Sequence, residues 1–444
     1  MHNLLRCRRG SAAFVTVIAL VPLIGVVAVG GEAGSWYVTK QHAQNAADSA
    51  AMSGAYTIAI QKAAVPTISD SQTYDYRGRQ FAAQNAFCNA GDTSYPGSQC
   101  TSPPTGTTRT VQIDRGNFAA NSWTSSATGT AVRAIVSQQQ PAYLARVLGL
   151  STVNIPAQAI ARVDNPKELC ILGLGSSPSS KSALTLSGGG SLNGNGCGLM
   201  SNDTVKYSST PTFNGPGWAV NSVNGCKAGN CDIGVPHNYN NLPATNPLQV
   251  LDTESFNSRT GNTPPCAGGN VGNGKSCSVT PNSTGAYGDL KVTGGTVTFA
   301  AGTYFFYNAN ISITSGTVTG TGVTLVLLGT TSSLTINGGT VNLSAPAINT
   351  TSSHLNGVLI DDQAQNAVSS KTAVTVNGGG TVTLGGAMYF PHVDVQWNGT
   401  AQNANTTCSQ VIANTLNLSG NAYISTQNCV PSTVSQTQVV VLVK

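Results

Sequence analysis

Gly294-Gly295-Thr296-Val297-Thr298-Phe299, Ser315-Gly316-Thr317-Val318-Thr319, Gly338-Gly339-Thr340-Val341-Asn342-Leu343 and Gly379-Gly380-Thr381-Val382-Thr383-Leu384 are variants of one phrase. Each begins at glycine and continues as a short run alternating threonine with an apolar side chain. That is the period-two pattern of a half-buried strand. The aligned threonines lie 21, 23 and 41 residues apart, and the last gap reads as about two turns of the same period. Repeats of roughly 20 residues mark solenoids, in which each coil buries its apolar face on its neighbours. The expected fold over about residues 280–430 is therefore a β-solenoid, parallel β-helix-like. A β-sandwich is the alternative, because glycine-bounded alternating strands also build sandwiches.

Outward from these repeats the chain stays β-rich. Leu184-Thr185-Leu186-Ser187-Gly188 belongs to the same style, and Gln438–Val443 reads as a terminal strand. Residues 205–280, rich in Pro, Asn and Cys, read as a long stapled insertion. Residues 66–165 read as a small α+β module. A helix is expected over Thr73–Phe87 and strands at Thr110–Ile113, Thr130–Ser137 and Val153–Val163. A short helix is expected over Pro141–Leu148, with proline at its start and Gly149 after its end.

The N-terminus differs in kind. No charged residue occurs from Gly10 to Gly31, and residues 12–29 are dominated by Val, Ile, Leu and Phe. A helix needs about 20 mostly apolar residues to cross a bilayer, and it tolerates a proline such as Pro22. Arg6, Arg8 and Arg9 precede the run, which places the N-terminus in the cytoplasm by the positive-inside rule. A cleaved signal peptide is the rival reading, but its apolar region would be about 7–15 residues, shorter than this one. The division is thus a cytoplasmic leader (1–10), a transmembrane helix (11–31), a juxtamembrane helix (32–65), the α+β module (66–165) and a disulfide-stapled β-rich domain (166–444). The chain is expected to be a single-pass protein of a bacterial inner membrane, with its bulk in the periplasm or outside the cell.

Ala43, Ala47, Ala50 and Gly54 recur every three or four residues after the membrane run. Such a small-residue stripe permits close helix packing. It serves either intramolecular packing or a partner helix in a membrane assembly.

Of the 11 cysteines, Cys7 precedes the apolar run and ten follow it. A lone cysteine before the span and an even set after it fit a chain passing from a reducing to an oxidising compartment. Neighbour pairing gives Cys88–Cys100, Cys170–Cys197, Cys226–Cys231, Cys266–Cys277 and Cys408–Cys429, since short loops close cheaply. A zinc site is the rival, but no histidine lies at ligand spacing from these cysteines. No cofactor or metal site is expected.

Charge bears on partners. The chain has 21 Lys+Arg and 16 Asp+Glu, and the leader arginines account for much of the excess. A nearly neutral remainder argues against nucleic acid, which needs a basic face.

Arg8-Arg9-Gly10-Ser11 leads into the apolar run, which ends in Gly31-Glu32-Ala33-Gly34. Gln41-His42-Ala43-Gln44-Asn45-Ala46-Ala47-Asp48-Ser49-Ala50-Ala51-Met52-Ser53-Gly54-Ala55 follows. These blocks resemble the N-terminal region of TadG-like proteins of the Flp (tight-adherence) pilus assembly system. His42 stands where an apolar residue is usual and Glu32 where Asp is usual. Leu169-Cys170-Ile171-Leu172-Gly173-Leu174 with Gly196-Cys197-Gly198, and Gly386-Ala387-Met388-Tyr389-Phe390-Pro391, are similar to later blocks of such proteins. The resemblance implies an inner-membrane component of a pilus or secretion apparatus, with the bilayer and other pilus-assembly membrane proteins as partners and no known molecular activity. The metal-binding loop of a von Willebrand factor A domain is not found; Asp92-Thr93-Ser94-Tyr95-Pro96 comes nearest and fails at Pro96. Val15 stands where processed pseudopilins carry glutamate.

A β-helix also invites comparison with polysaccharide-active enzymes. Asp361-Asp362 is an acidic pair, with His354, His392 and Asp394 not far off in sequence. Two carboxylates across a glycosidic bond act as acid and base. The supporting motifs of such enzymes are missing, no arginine follows Arg259, and the pair reads as a solvated turn after Val358-Leu359-Ile360. His237 and His392, each beside a proline, read as turn residues. A non-enzymatic role without a small-molecule substrate is expected. A surface adhesin or carbohydrate-binding solenoid is the runner-up, and a polysaccharide-degrading enzyme comes third.

Overall fold

A computed structural model describes residues 8–63, 70–92, 94–175, 182–227, 231–256, 258–364, 374–377, 379–399 and 407–444. They fall into two units. The first comprises residues to Ala59, Asp70–Asp164 and the C-terminal Val440–Lys444; the second comprises Ile60–Ser69 and Asn165–Val439.

The first unit joins one long helix to a five-stranded sheet. Helix α1 (Arg8–Ala63) runs unbroken through Pro22. Its early apolar residues lie open, with Val15, Val17, Leu23, Val26 and Val27 all exposed. Its later half is buried through Ala43, Ala46, Ala47, Ala50, Ala51 and Ala55. The sheet runs in the order 122–125, 108–119, 131–141, 152–164, 439–442. Its three long strands are antiparallel. They alternate as half-buried strands must, burying Val111 and Ile113, then Val132, Ala134 and Val136, then Ala157, Ala159 and Ala161. The expected helix over Thr73–Phe87 is α2 (Tyr74–Gln84), capped where Thr73 Oγ1 accepts from the amide of Tyr76 at 3.1 Å. Only a short 3-10 turn, Ala145–Leu148, forms where a helix was expected over Pro141–Leu148. Cys88–Cys100 ties the loop after α2.

The second unit is a barrel-like sheet of parallel strands arranged in three rows. In the first row, Ser276–Val279, then residues 296–299, 317–321, Gly339–Ser344 and 380–385 pair in succession. The four repeat threonines stack there in register, Thr296 on Thr317 on Thr340 on Thr381. The intervening valines 297, 318, 341 and 382 all enter one core. Thr340 pairs directly with Thr381, so the gap of 41 residues is a single turn and not two. Strands of the other rows, Val358–Asp362 and Val374–Asn377, lie inside that gap, with a loop at 345–357.

The second row reads 302–307, 323–328, 360–362, 387–389, 410–413, 171–173, 198–201, 219–222, 237–238. Most of its strands are buried on both faces. Val323–Leu328, sequence VTLVLL, is buried at every position. Residues Tyr304, Phe306, Leu325 and Leu327 face the core shared by all rows. Phe305, Val326, Leu328 and Ile412 instead pack under Ala244, Leu248, Leu251 and Phe256. Strands covered on both sides read as continuous apolar runs.

These pairings set an unexpected order. Residues 205–280 are not one insertion: the strands Val205–Tyr207, Ala219–Ser222, Cys226–Lys227 and His237–Asn238 extend the same sheet. In space the rows run from residues 270–279 up to 419 and then from 168 to 238. The last strand of the later segment, Ser409–Ser419, pairs with the first strands of the earlier one. Residues 239–269 carry the chain back along the outer face of the second row.

Candidate functional site

Two places concentrate chemistry, one in each unit. In the first unit α1 has two characters. From Val15 its apolar surface is unburied, and mean hydropathy reaches 2.1 over an 18-residue window. That length and composition suit a membrane crossing. From Ala43 onward its small residues are covered within the chain. Ala43, Ala47 and Ala50 are fully buried. A Cβ added at Gly54 would lie 2.9 Å from Val132 Cγ1 and 3.2 Å from the Tyr74 carbonyl oxygen. The stripe is therefore not open to a partner helix: it packs on its own sheet, where small side chains allow helix and strand backbones to approach. Gln44 adds a hydrogen bond to the Gln158 carbonyl at 3.1 Å, and the Lys40 amine donates to the Pro156 carbonyl.

Residues 10–57 match the family model described as "Putative Flp pilus-assembly TadE/G-like". The match covers the apolar run and the alanine stripe and stops before α1 ends. Comparison with curated proteins and with solved structures returns no match. The TadE/G-like segment thus coincides with the part of α1 that is exposed and apolar at one end and sheet-bound at the other. His42, inside it, is exposed on the helix surface.

The second place is a carboxylate cluster under the returning segment. Asp361 and Asp362 end the strand Val358–Asp362 and are 0% and 1% exposed, not in a solvated turn. Asp361 sits in register with Val326 and Tyr389. Its Oδ2 accepts from Gln363 Nε2 at 2.8 Å, and the same amide donates to the Leu251 carbonyl at 3.2 Å. Asp362 Oδ1 accepts from the Ala364 amide at 3.0 Å. The other carboxyl oxygen of each has no partner among the described residues. Burial pushes Asp361 well above the usual carboxylate range, against the Gln363 hydrogen bond, and Asp362 up to about 7. Both carboxyls are thus favoured as neutral acids.

Around them, Tyr389 donates to Asp252 at 2.8 Å and accepts from Asn246 Nδ2 at 2.9 Å. Burial raises Asp252 as well, opposed by the Tyr389 hydrogen bond. Glu254 lies 2.7 Å from His354 Nδ1. Asp252, Glu254, Arg259, Gln363 and His392 border a cleft of about 540 Å³. His392 lies within the strand Gly380–Asn398 and not in a turn, and His237 begins the short strand His237–Asn238. Asp394 accepts from Thr415 at 2.5 Å on the neighbouring strand and does not border the cleft. Acid–base work needs carboxyls that reach a substrate. Asp361 and Asp362 are sealed, and their hydrogen bonds stay within the strand end; Gln363, held by Asp361, is the residue that bonds to the returning segment at Leu251. Sequence reasoning missed Asp252 and Tyr389, because only the fold brings them to Asp361.

Five disulfides join the cysteines after α1: Cys88–Cys100, Cys170–Cys197, Cys226–Cys231, Cys266–Cys277 and Cys408–Cys429. Cys7 lies outside the described residues. Among the described residues no group of three His, Cys, Asp or Glu side chains is placed to hold a metal.

Proposed function

We propose that this chain is a membrane-anchored structural component of a bacterial Flp-type pilus or secretion apparatus, acting through protein contacts and not by catalysis. The match of residues 10–57 to the pilus-assembly family carries this reading. The unburied apolar surface of α1 supports an anchor in the inner membrane. Arginines before the span support a cytoplasmic N-terminus, and the five disulfides in the chain beyond it support an oxidising compartment for the rest. The three rows of parallel strands are read as a β-solenoid whose coils follow one another in permuted sequence order. In-register stacking of the repeat threonines supports that architecture.

Affinity purification of the full chain from detergent-solubilised membranes tests the role. Enrichment of other pilus-assembly membrane proteins is expected; recovery of none would defeat it. A phosphatase fused after Lys444 should be active only if the C-terminus is exported. A second reading, a saccharide-binding surface protein, draws on the cleft beside Asp252 and His392. Binding of the full chain to envelope polysaccharide, lost when His392 is replaced, would favour it.

A further inference from the structure

The loop between the strands Ala131–Pro141 and Thr152–Asp164 of the first unit is held against α1 just beyond its apolar run. Glu32 lies three residues beyond Val29 on α1, and its carboxylate accepts from three successive backbone amides: Tyr143 at 2.6 Å, Leu144 at 3.0 Å and Ala145 at 2.7 Å. That fixes the loop at the level of Glu32 along the helix. With a rise of 1.5 Å per residue, this level is only about 5 Å beyond the end of the apolar run. The same loop leaves apolar side chains uncovered. Tyr143 is 73% exposed, Leu144 44% and Leu150 47%, while Ala142 and Ala145 beneath them are buried. Its one charged residue is Arg146, which is exposed. On the helix itself Tyr37 and Val38 are exposed a turn further along.

A tyrosine and two leucines held out to water on a structured loop are costly, whereas at a membrane interface they are at home. Tyrosine prefers the headgroup level, leucine the acyl boundary, and arginine the lipid phosphates. We infer that the Tyr143–Leu150 loop is a second membrane contact, resting in the headgroup region of the leaflet that α1 leaves and clamped there by Glu32. The occupant is a lipid bilayer, because the patch continues the uncovered apolar surface of α1. This inference rests on the reading of residues 12–29 as a membrane span.

The test uses the full chain with Cys7→Ser, in nanodiscs of phosphatidylethanolamine and phosphatidylglycerol. Single cysteines at Tyr143, Leu150, Val26 and Asn121 carry an environment-sensitive fluorophore, and lipids spin-labelled near the headgroup or deep in the chain serve as quenchers. Tyr143 and Leu150 should be quenched by the shallow label about twofold or more above Asn121, and by the deep label much less. Val26 should be quenched chiefly by the deep label. If Val26 is quenched but Tyr143 and Leu150 match Asn121, the loop contact is wrong and the anchor stands. If Val26 escapes quenching, the anchor itself fails and the loop inference with it.

Discussion

Gln410 Nε2 lies 3.0 Å from the carbonyl oxygen of Leu169, a residue 241 positions earlier in the chain. The bond sits at the seam where the strand Ser409–Ser419 lies in parallel register with Glu168–Gly173 and Leu184–Ser187. Everything in the second unit before the seam winds one way out to His237–Asn238, and everything after Asn270 winds back toward it. Closing such a seam delays its reward until nearly the whole unit has been ordered, the costly regime of long-range contacts. Gln410 is fully buried, so truncating it removes a hydrogen bond and leaves a void. Gln410→Ala is expected to cost about 1–3 kcal/mol, seen as a lower melting temperature of the full chain in detergent. An unchanged melting temperature would mean that the seam is held elsewhere.

The stacking of the glycine turns makes a sharper demand. A Cβ on Gly380 would lie 1.8 Å from the carbonyl oxygen of Gly339, one turn away in the first row. Neither backbone can yield without breaking the Gly339–Gly380 pairing. At Gly272 the nearest atom to an added Cβ is Thr293 Oγ1 at 3.6 Å, an ordinary contact. Gly380→Ala should therefore destabilise by about 1–3 kcal/mol or more, and Gly272→Ala by about 0.5 kcal/mol or less. Chemical denaturation of both variants checks this; equal losses would refute close turn-on-turn contact.

The first row was legible because one face alternates with solvent: Thr296, Thr317, Thr340 and Thr381 look outward while the valines after them look in. The second row was not, because strands such as Val323–Leu328 are buried on both faces and carry no period. The seam left no local trace at all, since Leu172 and Ile412 are ordinary apolar residues whose pairing is purely tertiary. Length misled once, when added chain that includes the loop at 345–357 nearly doubled the apparent spacing between Thr340 and Thr381. The alanine stripe was legible as a packing surface but not as to its partner, because small residues suit a sheet as well as a helix. Asp361 and Asp362 misled most. Adjacent carboxylates suggest a wet turn, and only the covering segment with Leu251 makes them buried acids.

Disulfide ranking follows from loop length and burial. Cys170–Cys197 closes 27 residues and is buried, whereas Cys226–Cys231 closes five and is half-exposed. On the chain-entropy account these loops differ as about 3.5 against about 2 kcal/mol. The pair Cys170→Ala with Cys197→Ala should lower the melting temperature more than Cys226→Ala with Cys231→Ala, and mild reductant should open Cys226–Cys231 first. The reverse order in a thiol-trapping time course would contradict it.

The buried acids give the second unit an unusual pH dependence. Asp361, Asp362 and Asp252 all have carboxyls raised in the folded state, chiefly by burial. A raised group binds its proton more tightly folded than unfolded. Its stabilisation is complete below the unfolded value near 4 and is lost as pH rises through the folded value, about 7 for Asp362. The Asp70–Arg77 pair in the first unit acts in the opposite sense, its carboxyl being lowered chiefly by the hydrogen bond to Arg77. Its contribution is already in place above pH about 4 and does not change in the window of interest. Stability of the second unit should therefore fall between about pH 5 and 8, by a few kcal/mol. Asp362→Asn, which keeps the shape and cannot ionise, should flatten that slope. Melting temperatures of both proteins across this range decide the matter: a wild-type curve that stays level or climbs toward pH 8 would show that these carboxyls are not held as neutral acids.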